Sequence, residues 1–225
     1  MANERPLTLS EARALLYKHV HDDPSDACGS FAAALNEVLE RFYSKGLWDG
    51  YLERLDVSSW ITDNVMTLPY AYEGILAILV DDCPWDIFDK THEFHPNGPG
   101  AHDAGEGGTY IVDLGFSTVT DQLIRKYKFL CDVSNADTIE ALAKQRFVCL
   151  ENDTDLIYPS HVGALKHALI AVCLENETDY VRSQEYWKLA YDLLDDEKET
   201  RDIGVQKPLP QNPWGISQDK PYGMY

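Results

Sequence analysis

One short loop holds the side chains that come nearest to a metal-ligand set. His92, Glu93, His95, His102 and Asp103 fall within twelve residues, and imidazole and carboxylate groups are ligands of catalytic zinc, which activates water for hydrolysis. The zincin motif, however, requires two histidines four residues apart on a helix, whereas His92 and His95 are three apart in a loop. The sequence therefore predicts no metal site. A metal-dependent hydrolase that uses His92, His95, His102 and Asp103 is kept as an alternative.

The same loop is predicted to contact a partner or a neighbouring subunit. Residues 96–100 have the sequence Pro-Asn-Gly-Pro-Gly, in which Asn97 and Gly98 suit a positive φ. Turn-rich loops lie at the surface, where binding residues are common. The residues assigned to this contact are His92, Phe94, His95, Pro96 and Asn97.

Other catalytic patterns are missing from the sequence. It contains no G-x-S-x-G turn, no Walker A loop and no G-x-G-x-x-G fingerprint. The adjacent acidic pairs at 22–23, 81–82 and 195–196 are expected to be solvated rather than arranged for acid–base chemistry. We therefore predict a protein that is not an enzyme and binds no cofactor.

The net charge makes some classes of binding partner unfavourable. Nineteen basic side chains against 38 acidic ones leave a formal charge of −19, which disfavours nucleic acid because phosphate affinity comes from neutralising cations. An anionic membrane is disfavoured for the same reason, and no run approaches the roughly 18 apolar residues of a membrane helix. Five scattered cysteines without a C-x-x-C pair predict neither disulfides nor a zinc site, only small buried residues. We expect a soluble chain made in the cytosol.

Four helices are predicted to form the scaffold. Thr8 and Glu11 fit a capping box that begins a first helix ending near His19. The third helix is expected from Tyr158 to Glu175 and the fourth from Thr178 to Glu199. Apolar or small residues recur at helical spacing. They are Phe31, Leu35, Val38 and Phe42 in the second helix, Tyr158, Val162, Leu165, Leu169 and Val172 in the third, and Ser183, Trp187, Ala190 or Tyr191, and Leu194 in the fourth.

Between the two helix pairs the sequence changes to a strand pattern. Ile75 to Val80 is a continuous apolar run, typical of a strand buried on both faces. Tyr110 to Phe116 alternates so as to give one apolar face. Tyr51 to Val57, Ile61 to Leu68 and Arg146 to Leu150 are shorter candidates. We predict a small antiparallel sheet inserted between the helix pairs.

The C-terminal segment has a different composition. Lys207 to Tyr225 contains four prolines and three aromatic residues, so neither helix nor regular strand can continue through it. Extended at about 3.3 Å per residue, the segment reaches roughly 60 Å. The sequence therefore predicts an arm that can lie on another subunit.

A set of short segments, in a fixed order along the chain, carries a family resemblance. They include AALNEVLERF at 33–42, GLWDG at 46–50, MTLP at 66–69, EFHPNGPG at 93–100, GALKHAL at 163–169 and NPWG at 212–215. In this order, over nearly the whole chain, they resemble the neck or head-to-tail adaptor (connector) proteins of tailed bacteriophages. The sequence departs from that family in a short insert between about Thr120 and Leu150.

The resemblance implies a helical bundle with a β-rich insertion that forms a ring, usually of twelve copies, under the portal protein. C-terminal arms of such proteins dock into the portal, and Trp214 is the best anchor because large aromatics dominate interface energetics. The implied docking residues are Pro208, Pro210, Pro213, Trp214, Gly215, Tyr222 and Tyr225. The loop His92 to Gly100 would contact a neighbouring copy or a tail or nozzle protein. DNA would pass through the ring without specific binding.

The predicted fold is α+β: an antiparallel four-helix bundle with an inserted antiparallel β subdomain and an extended arm. Residues 1–49 and 158–206 are the two helix pairs, 50–157 the β-rich subdomain and 207–225 the docking arm. The predicted function is a structural virion protein in the phage neck, assembled in the host cytoplasm, that joins portal to tail. An acidic cytosolic binding module unrelated to phage is the second alternative, beside the metal-dependent hydrolase.

Overall fold

Ten strands and four helices make up the described part of the chain, which in this computed structural model comprises residues 6–20, 31–89, 110–119 and 122–203. The strands are β1 (Leu7–Thr8), β2 (Leu52–Asp56), β3 (Ile61–Thr62), β4 (Val65–Thr67), β5 (Tyr72–Val80), β6 (Cys83–Asp89), β7 (Tyr110–Val119), β8 (Gln122–Phe129), β9 (Ile139–Gln145) and β10 (Leu156–Ile157). The helices are α1 (Leu9–Val20), α2 (Phe31–Lys45), α3 (Val162–Asn176) and α4 (Tyr180–Ile203). The chain divides into a sheet unit, residues 1–9 and 39–159, and a helical unit, residues 10–38 and 160–225.

An eight-stranded sheet forms most of the sheet unit. Its strand order is β2-β9-β5-β6-β7-β8-β4-β3, and it is curled into a half-barrel. Strands β6 and β7 run parallel, and the other neighbouring pairs in the sheet are antiparallel. The short strands β1 and β10 form a separate antiparallel pair.

The predicted fold class, a four-helix bundle with a small inserted antiparallel β subdomain, is wrong. About 35% of the chain is strand, and the sheet is mixed. Among the described helices, α3 and α4 are the one pair with extensive mutual contact. Strand β9 was hard to find because its buried positions include Ala141 and Ala143, and alanine is a poor strand former. The predicted strand from Arg146 to Leu150 is irregular backbone.

Irregular strand pairing explains why two predicted strand faces differ from the structure. In β5 the register with β9 shifts between Tyr72 and Gly74 and again between Ile75 and Ala77. Ala77 is exposed and Leu76 is 39% exposed, so the predicted burial of this strand on both faces is wrong. An extra residue in one strand re-aims the side chains that follow it. Apolar composition alone does not show where such a shift occurs.

An apolar core stabilises the sheet unit. At its centre the hydroxyl of the fully buried Tyr127 accepts a hydrogen bond from the backbone N–H of Ile75, at 3.0 Å. This bond gives an acceptor to a buried N–H group that the irregular pairing of β5 would otherwise leave without one. The buried members of the core are Val57, Met66, Leu68, Ile75, Ile78, Val80, Ile111, Tyr127, Phe129, Val133, Ile139, Ala141 and Ala143.

Helices α3 and α4 pack together in the helical unit. The apolar side predicted for the fourth helix is confirmed, since Ser183, Trp187, Ala190 and Leu194 are all buried. Glu175 on α3 accepts hydrogen bonds from Ser183 Oγ at 3.1 Å and Trp187 Nε1 at 2.8 Å on α4. Buried polar groups are thus paired across the two helices.

The start of α3 differs from the prediction. The helix begins at Val162, and His161 caps it because its Nδ1 accepts the N–H of Ala164 at 3.0 Å. Tyr158 therefore precedes the helix, and Val162 is 41% exposed. The other three predicted stripe residues of this helix, Leu165, Leu169 and Val172, are buried as expected.

The first two helices agree with the sequence. Helix α1 ends at Val20, one residue beyond the predicted end, and the predicted stripe of α2 is buried: Phe31, Leu35, Val38 and Phe42. The division into units falls inside α2, so Phe31 to Val38 belong to the helical unit and Leu39 to Lys45 to the sheet unit. Tyr17 on α1 lies 6.1 Å from Phe31, between ring centroids.

The described cysteines differ in exposure and in disulfide bonding. Cys83 and Cys149 are exposed and Cys131 is half-buried, and none of these three forms a disulfide, whereas Cys173 is disulfide-bonded. The prediction of five small buried thiols without a disulfide is therefore wrong for these four. No described helix is both long and apolar enough to span a bilayer.

Candidate functional site

The residues chosen from the sequence lie outside the described part of the chain. This holds for the arm residues Pro208, Pro210, Pro213, Trp214, Gly215, Tyr222 and Tyr225, and for the loop residues His92, Phe94, His95, Pro96 and Asn97. His102 and Asp103 lie outside it as well. Their assignments stay predictions.

The described residues offer a different candidate, the arginine–aromatic surface, formed by Tyr70, Phe116, Leu123, Arg125 and Arg146. The guanidinium carbon of Arg146 lies 4.5 Å from the ring centroid of Tyr70 and 6.0 Å from that of Phe116. The guanidinium carbon of Arg125 lies 5.3 Å from the Phe116 centroid. Three apolar or aromatic side chains remain about half exposed: Phe116 at 53%, Leu123 at 54% and Tyr70 at 48%.

A bulge in β7 positions Phe116 on this surface. The register between β7 and β8 shifts between Asp113 and Gly115, and Gly115 has φ +78°, a left-handed conformation that favours glycine. Asp113 Oδ1 accepts the N–H of Gly115 at 2.8 Å. Beyond the bulge Phe116 pairs with Arg125 on β8. The predicted apolar face from Tyr110 to Phe116 is wrong in two places: Phe116 is 53% exposed, and Ile111, which was assigned to the opposite face, is fully buried in the core of the sheet unit.

Arg125 is neutralised within the chain. Its Nε donates to Asp113 Oδ2 at 2.9 Å, and its Nη2 donates to the same oxygen. Burial alone would lower the pKa of Arg125, but the hydrogen bond and charge of Asp113 outweigh it and the pKa is raised. Arg125 therefore stays charged and stacks on Phe116 as one half of a pair.

Arg146 is held differently, by carbonyl oxygens. It follows directly after β9, and its Nη2 donates to the carbonyl of Leu123 at 2.7 Å and its Nε to that of Tyr72 at 3.2 Å. Its backbone N–H donates to Ala71 at 2.8 Å. Within the described residues no carboxylate lies within ion-pair distance of Arg146. The surface therefore carries one positive charge that these residues leave without a counter-ion.

A second polar cluster connects α2 to the sheet inside the sheet unit. Glu73 Oε2 lies 2.8 Å from Lys144 Nζ and 2.5 Å from the hydroxyl of Tyr43. That hydroxyl is also 2.8 Å from the carbonyl oxygen of Gln145, and Lys144 Nζ lies 3.8 Å from the centroid of the Tyr43 ring. Each charged group in this cluster has a partner, so we assign it a structural role.

The pKa values in this cluster reflect the pairing. Burial, followed by the hydrogen bond and charge of Glu73, raises the pKa of Tyr43 well above its usual value. Burial by itself would raise the pKa of Glu73 as well. The hydrogen bonds from Lys144 and Tyr43 outweigh that effect, and the pKa of Glu73 is lowered.

Replacing Glu73 by glutamine is expected to make the free energy of unfolding depend less steeply on pH in the acid range. Because the folded pKa is lower than the unfolded one, the unfolded chain binds the extra proton, so this carboxylate stabilises the fold above its unfolded pKa of about 4.5. That contribution is lost as the pH falls through the folded pKa. Urea unfolding of wild type and Glu73→Gln between about pH 6 and pH 3 measures the difference. Equal pH slopes for the two proteins would contradict this assignment.

Two grooves lie in the sheet unit. One of about 420 Å³ borders Arg146 and includes the exposed side chains of Val148 and Leu156. The other, of about 670 Å³, includes Asp63 and Asp132, but Asp132 accepts hydrogen bonds from the N–H and the hydroxyl of Ser134, both at 3.0 Å. Across the described ranges no group of three His, Cys, Asp or Glu side chains could hold a metal. The first groove adds a mixed polar and apolar surface next to Arg146, since Glu151 and Asp155 line it together with Val148 and Leu156.

The arginine–aromatic surface could not be predicted from the sequence because its members come from separate segments. Tyr70 precedes β5, Phe116 lies in β7, Leu123 in β8 and Arg146 after β9. One signal was available, since a glycine inside a strand pattern, here Gly115, indicates a bulge. That signal could have placed Phe116 at the surface, but not next to Arg146.

Neither protein-family models nor curated protein sequences give a match to this chain.

Proposed function

We propose that this chain is a structural virion protein of a tailed bacteriophage, in the neck, where a ring of copies joins the portal protein to the tail and leaves a conduit for DNA. The observation that carries the proposal is the arginine–aromatic surface. Aromatic residues and arginine are enriched at the cores of protein interfaces, where lysine and acidic residues are depleted. The described chain thus offers a patch with the composition of a protein-binding surface.

The acidic composition supports the conduit. A formal charge of −19 repels the DNA phosphates, so DNA could move past a ring of such chains without binding to it. A lumen lined by neutral or basic side chains in the assembled ring would remove this support.

The arm has the chemistry of a docking segment. Its prolines restrict the backbone in the unbound chain, which lowers the entropy lost on docking, and its aromatics supply large apolar contacts. We propose that residues 208–225 bind the portal protein, with Trp214 in a pocket. The loop that contains His92, Phe94, His95, Pro96 and Asn97 is proposed to contact a neighbouring copy or a tail protein.

Deleting residues 208–225 is expected to abolish binding to the portal protein of the same virion. Trp214→Ala in the full chain is expected to weaken binding at least about 30-fold, which corresponds to about 2 kcal/mol, the loss typical of an interface hot spot. Surface plasmon resonance with immobilised portal measures the dissociation constants. Gln211→Ala, a polar neighbour in the same arm, is the matched control and should bind as wild type. If the deletion variant binds the portal protein as tightly as wild type does, the proposed role of the arm is contradicted.

A further inference from the structure

The geometry points to a second copy of this chain as the occupant of the arginine–aromatic surface: the outward face of α4 in one copy packs on the arginine–aromatic surface of another. The inference rests on the proposed function, since a ring needs a contact between copies. It deepens that function by naming the two surfaces that meet.

The charge of Arg146 favours an acidic occupant. Arg146 is held by two carbonyl oxygens and an aromatic ring, and no described carboxylate of its own copy pairs with it. Copies that each carry −19 repel one another. A close contact between copies is therefore favoured where one of them presents a cation to a carboxylate of the other.

The arginine–aromatic surface also exposes apolar side chains. Phe116, Leu123 and Tyr70 are each about half exposed, the rings of Tyr70 and Phe116 lie near the guanidinium of Arg146, and Leu123 accepts a hydrogen bond from Arg146 through its carbonyl oxygen. A carboxylate that reached Arg146 between these side chains would be partly shielded from water, which strengthens the ion pair. The occupant must therefore offer carboxylates and apolar side chains together.

Helix α4 has the composition that such an occupant requires. Its buried residues, among them Ser183, Trp187 and Leu194, define the side that packs within the helical unit. At 100° per residue the opposite side carries Val181, Glu185, Leu189 and Asp192, with Lys188 at its margin. Val181 is 74% exposed and Leu189 is 48% exposed. Glu185 and Asp192 are exposed, and no described cation pairs with either.

These two surfaces complement each other. One has arginine between apolar and aromatic side chains, and the other has carboxylates between aliphatic ones. Val181 and Leu189 are eight residues apart, about 12 Å along a helix, which allows one helix face to contact several members of the arginine–aromatic surface at once. A contact between two different surfaces is heterologous, and heterologous contacts generate rings when the rotation closes.

Cross-linking between two variants tests the contact. Leu123→Cys and Leu189→Cys are prepared separately, each with Cys83, Cys131 and Cys149 changed to serine, and are oxidised alone and as a mixture, with and without the portal protein. A disulfide-linked dimer is expected in the mixture and not in either variant alone. Adding Arg146→Glu to the Leu123→Cys variant should lower the dimer yield at least 10-fold. When this double variant is mixed with a Leu189→Cys variant that also carries Asp192→Lys, the dimer yield should be restored. Arg54→Glu, at an exposed arginine outside the surface, is the matched control and should leave the yield unchanged.

The outcomes separate this contact from the proposed function. If no dimer forms in the mixture, with or without portal, the contact is wrong, and the function still stands if the full chain binds portal through its arm. If the dimer forms and responds to Arg146→Glu but the chain does not bind portal, the contact stands and the proposed function fails. A yield of disulfide-linked dimer that does not change with Arg146→Glu would also contradict the proposed contact.

Discussion

Replacing Gly50 by alanine is expected to destabilise the sheet unit strongly. An added Cβ at this position would lie 2.1, 2.2 and 2.4 Å from three ring atoms of Tyr158, far inside van der Waals contact. The Tyr158 ring also packs edge-on against Tyr51, with ring centroids 6.1 Å apart, and burial with Tyr158 nearby raises the pKa of Tyr51 to about 12. The ring therefore cannot move aside without disturbing its neighbours. Overpacking of this kind costs about 1–3 kcal/mol, and the upper end is expected here.

Urea unfolding of Gly50→Ala measures this cost, and a double-mutant cycle identifies its cause. Tyr158→Ala alone should destabilise by loss of packing. Gly50→Ala combined with Tyr158→Ala should then cost clearly less than the sum of the two single changes, because the clash is gone. If Gly50→Ala unfolds at the wild-type urea concentration, the described packing of Tyr158 on Gly50 is wrong.

Replacing Asp113 by alanine is expected to be the second large effect. Asp113 is the carboxylate that neutralises Arg125, and its side chain is only 12% exposed against 31% for Arg125. Its removal leaves the guanidinium uncompensated beside Phe116 and Tyr127, and the N–H of Gly115 loses its acceptor. Breaking a buried pair costs about 3–5 kcal/mol. Partial exposure reduces the expected loss to about 2–3 kcal/mol.

Three variants separate charge from hydrogen bonding at this position. Asp113→Asn keeps an oxygen for Gly115 and loses the charge, so an intermediate loss of stability is expected. Asp113→Ala with Arg125→Met removes the unpaired cation and should regain part of the loss. Glu140→Ala breaks the more exposed pair with Arg54, whose side chain is 64% exposed, and should destabilise the fold clearly less than Asp113→Ala, because solvent screens an exposed pair. If Asp113→Ala lowers the free energy of unfolding by no more than Glu140→Ala does, the pairing of Asp113 with Arg125 is contradicted.

The helices could be predicted from the sequence because their signals are local. The stripe from Phe31 to Phe42 and the apolar side of α4 depend on spacing within one segment, and both are buried as predicted. Helix spacing does not, however, say what a helix packs against. The stripe of α2 was compatible with a four-helix bundle, whereas its C-terminal part belongs to the sheet unit.

The sheet could be predicted only in part because strand pairing joins distant segments. Strand β5 was found from its apolar run, but its partners β9 and β6 were not, since alanine in β9 and polar residues in β6 weaken the pattern. The bulge at Gly115 reverses which side chains face the core. A register shift of this kind depends on the partner strand, which one segment of sequence cannot show.

The arginine–aromatic surface depends on the same long-range pairing. Arg146 reaches Tyr70 and Phe116 only because β9 ends next to the turn before β5 and the β7–β8 pair. Composition does indicate that a chain of −19 avoids polyanions. It does not indicate which cation the described residues leave without a carboxylate partner.

The most direct test of the central proposal is electron cryomicroscopy of the full chain mixed with the portal protein of the same virion. The proposal predicts particles in which a closed ring of copies is bound to the portal around an open channel, with residues 208–225 of each copy in contact with the portal. A mixture in which the portal remains free, at concentrations where both proteins are folded, would contradict it.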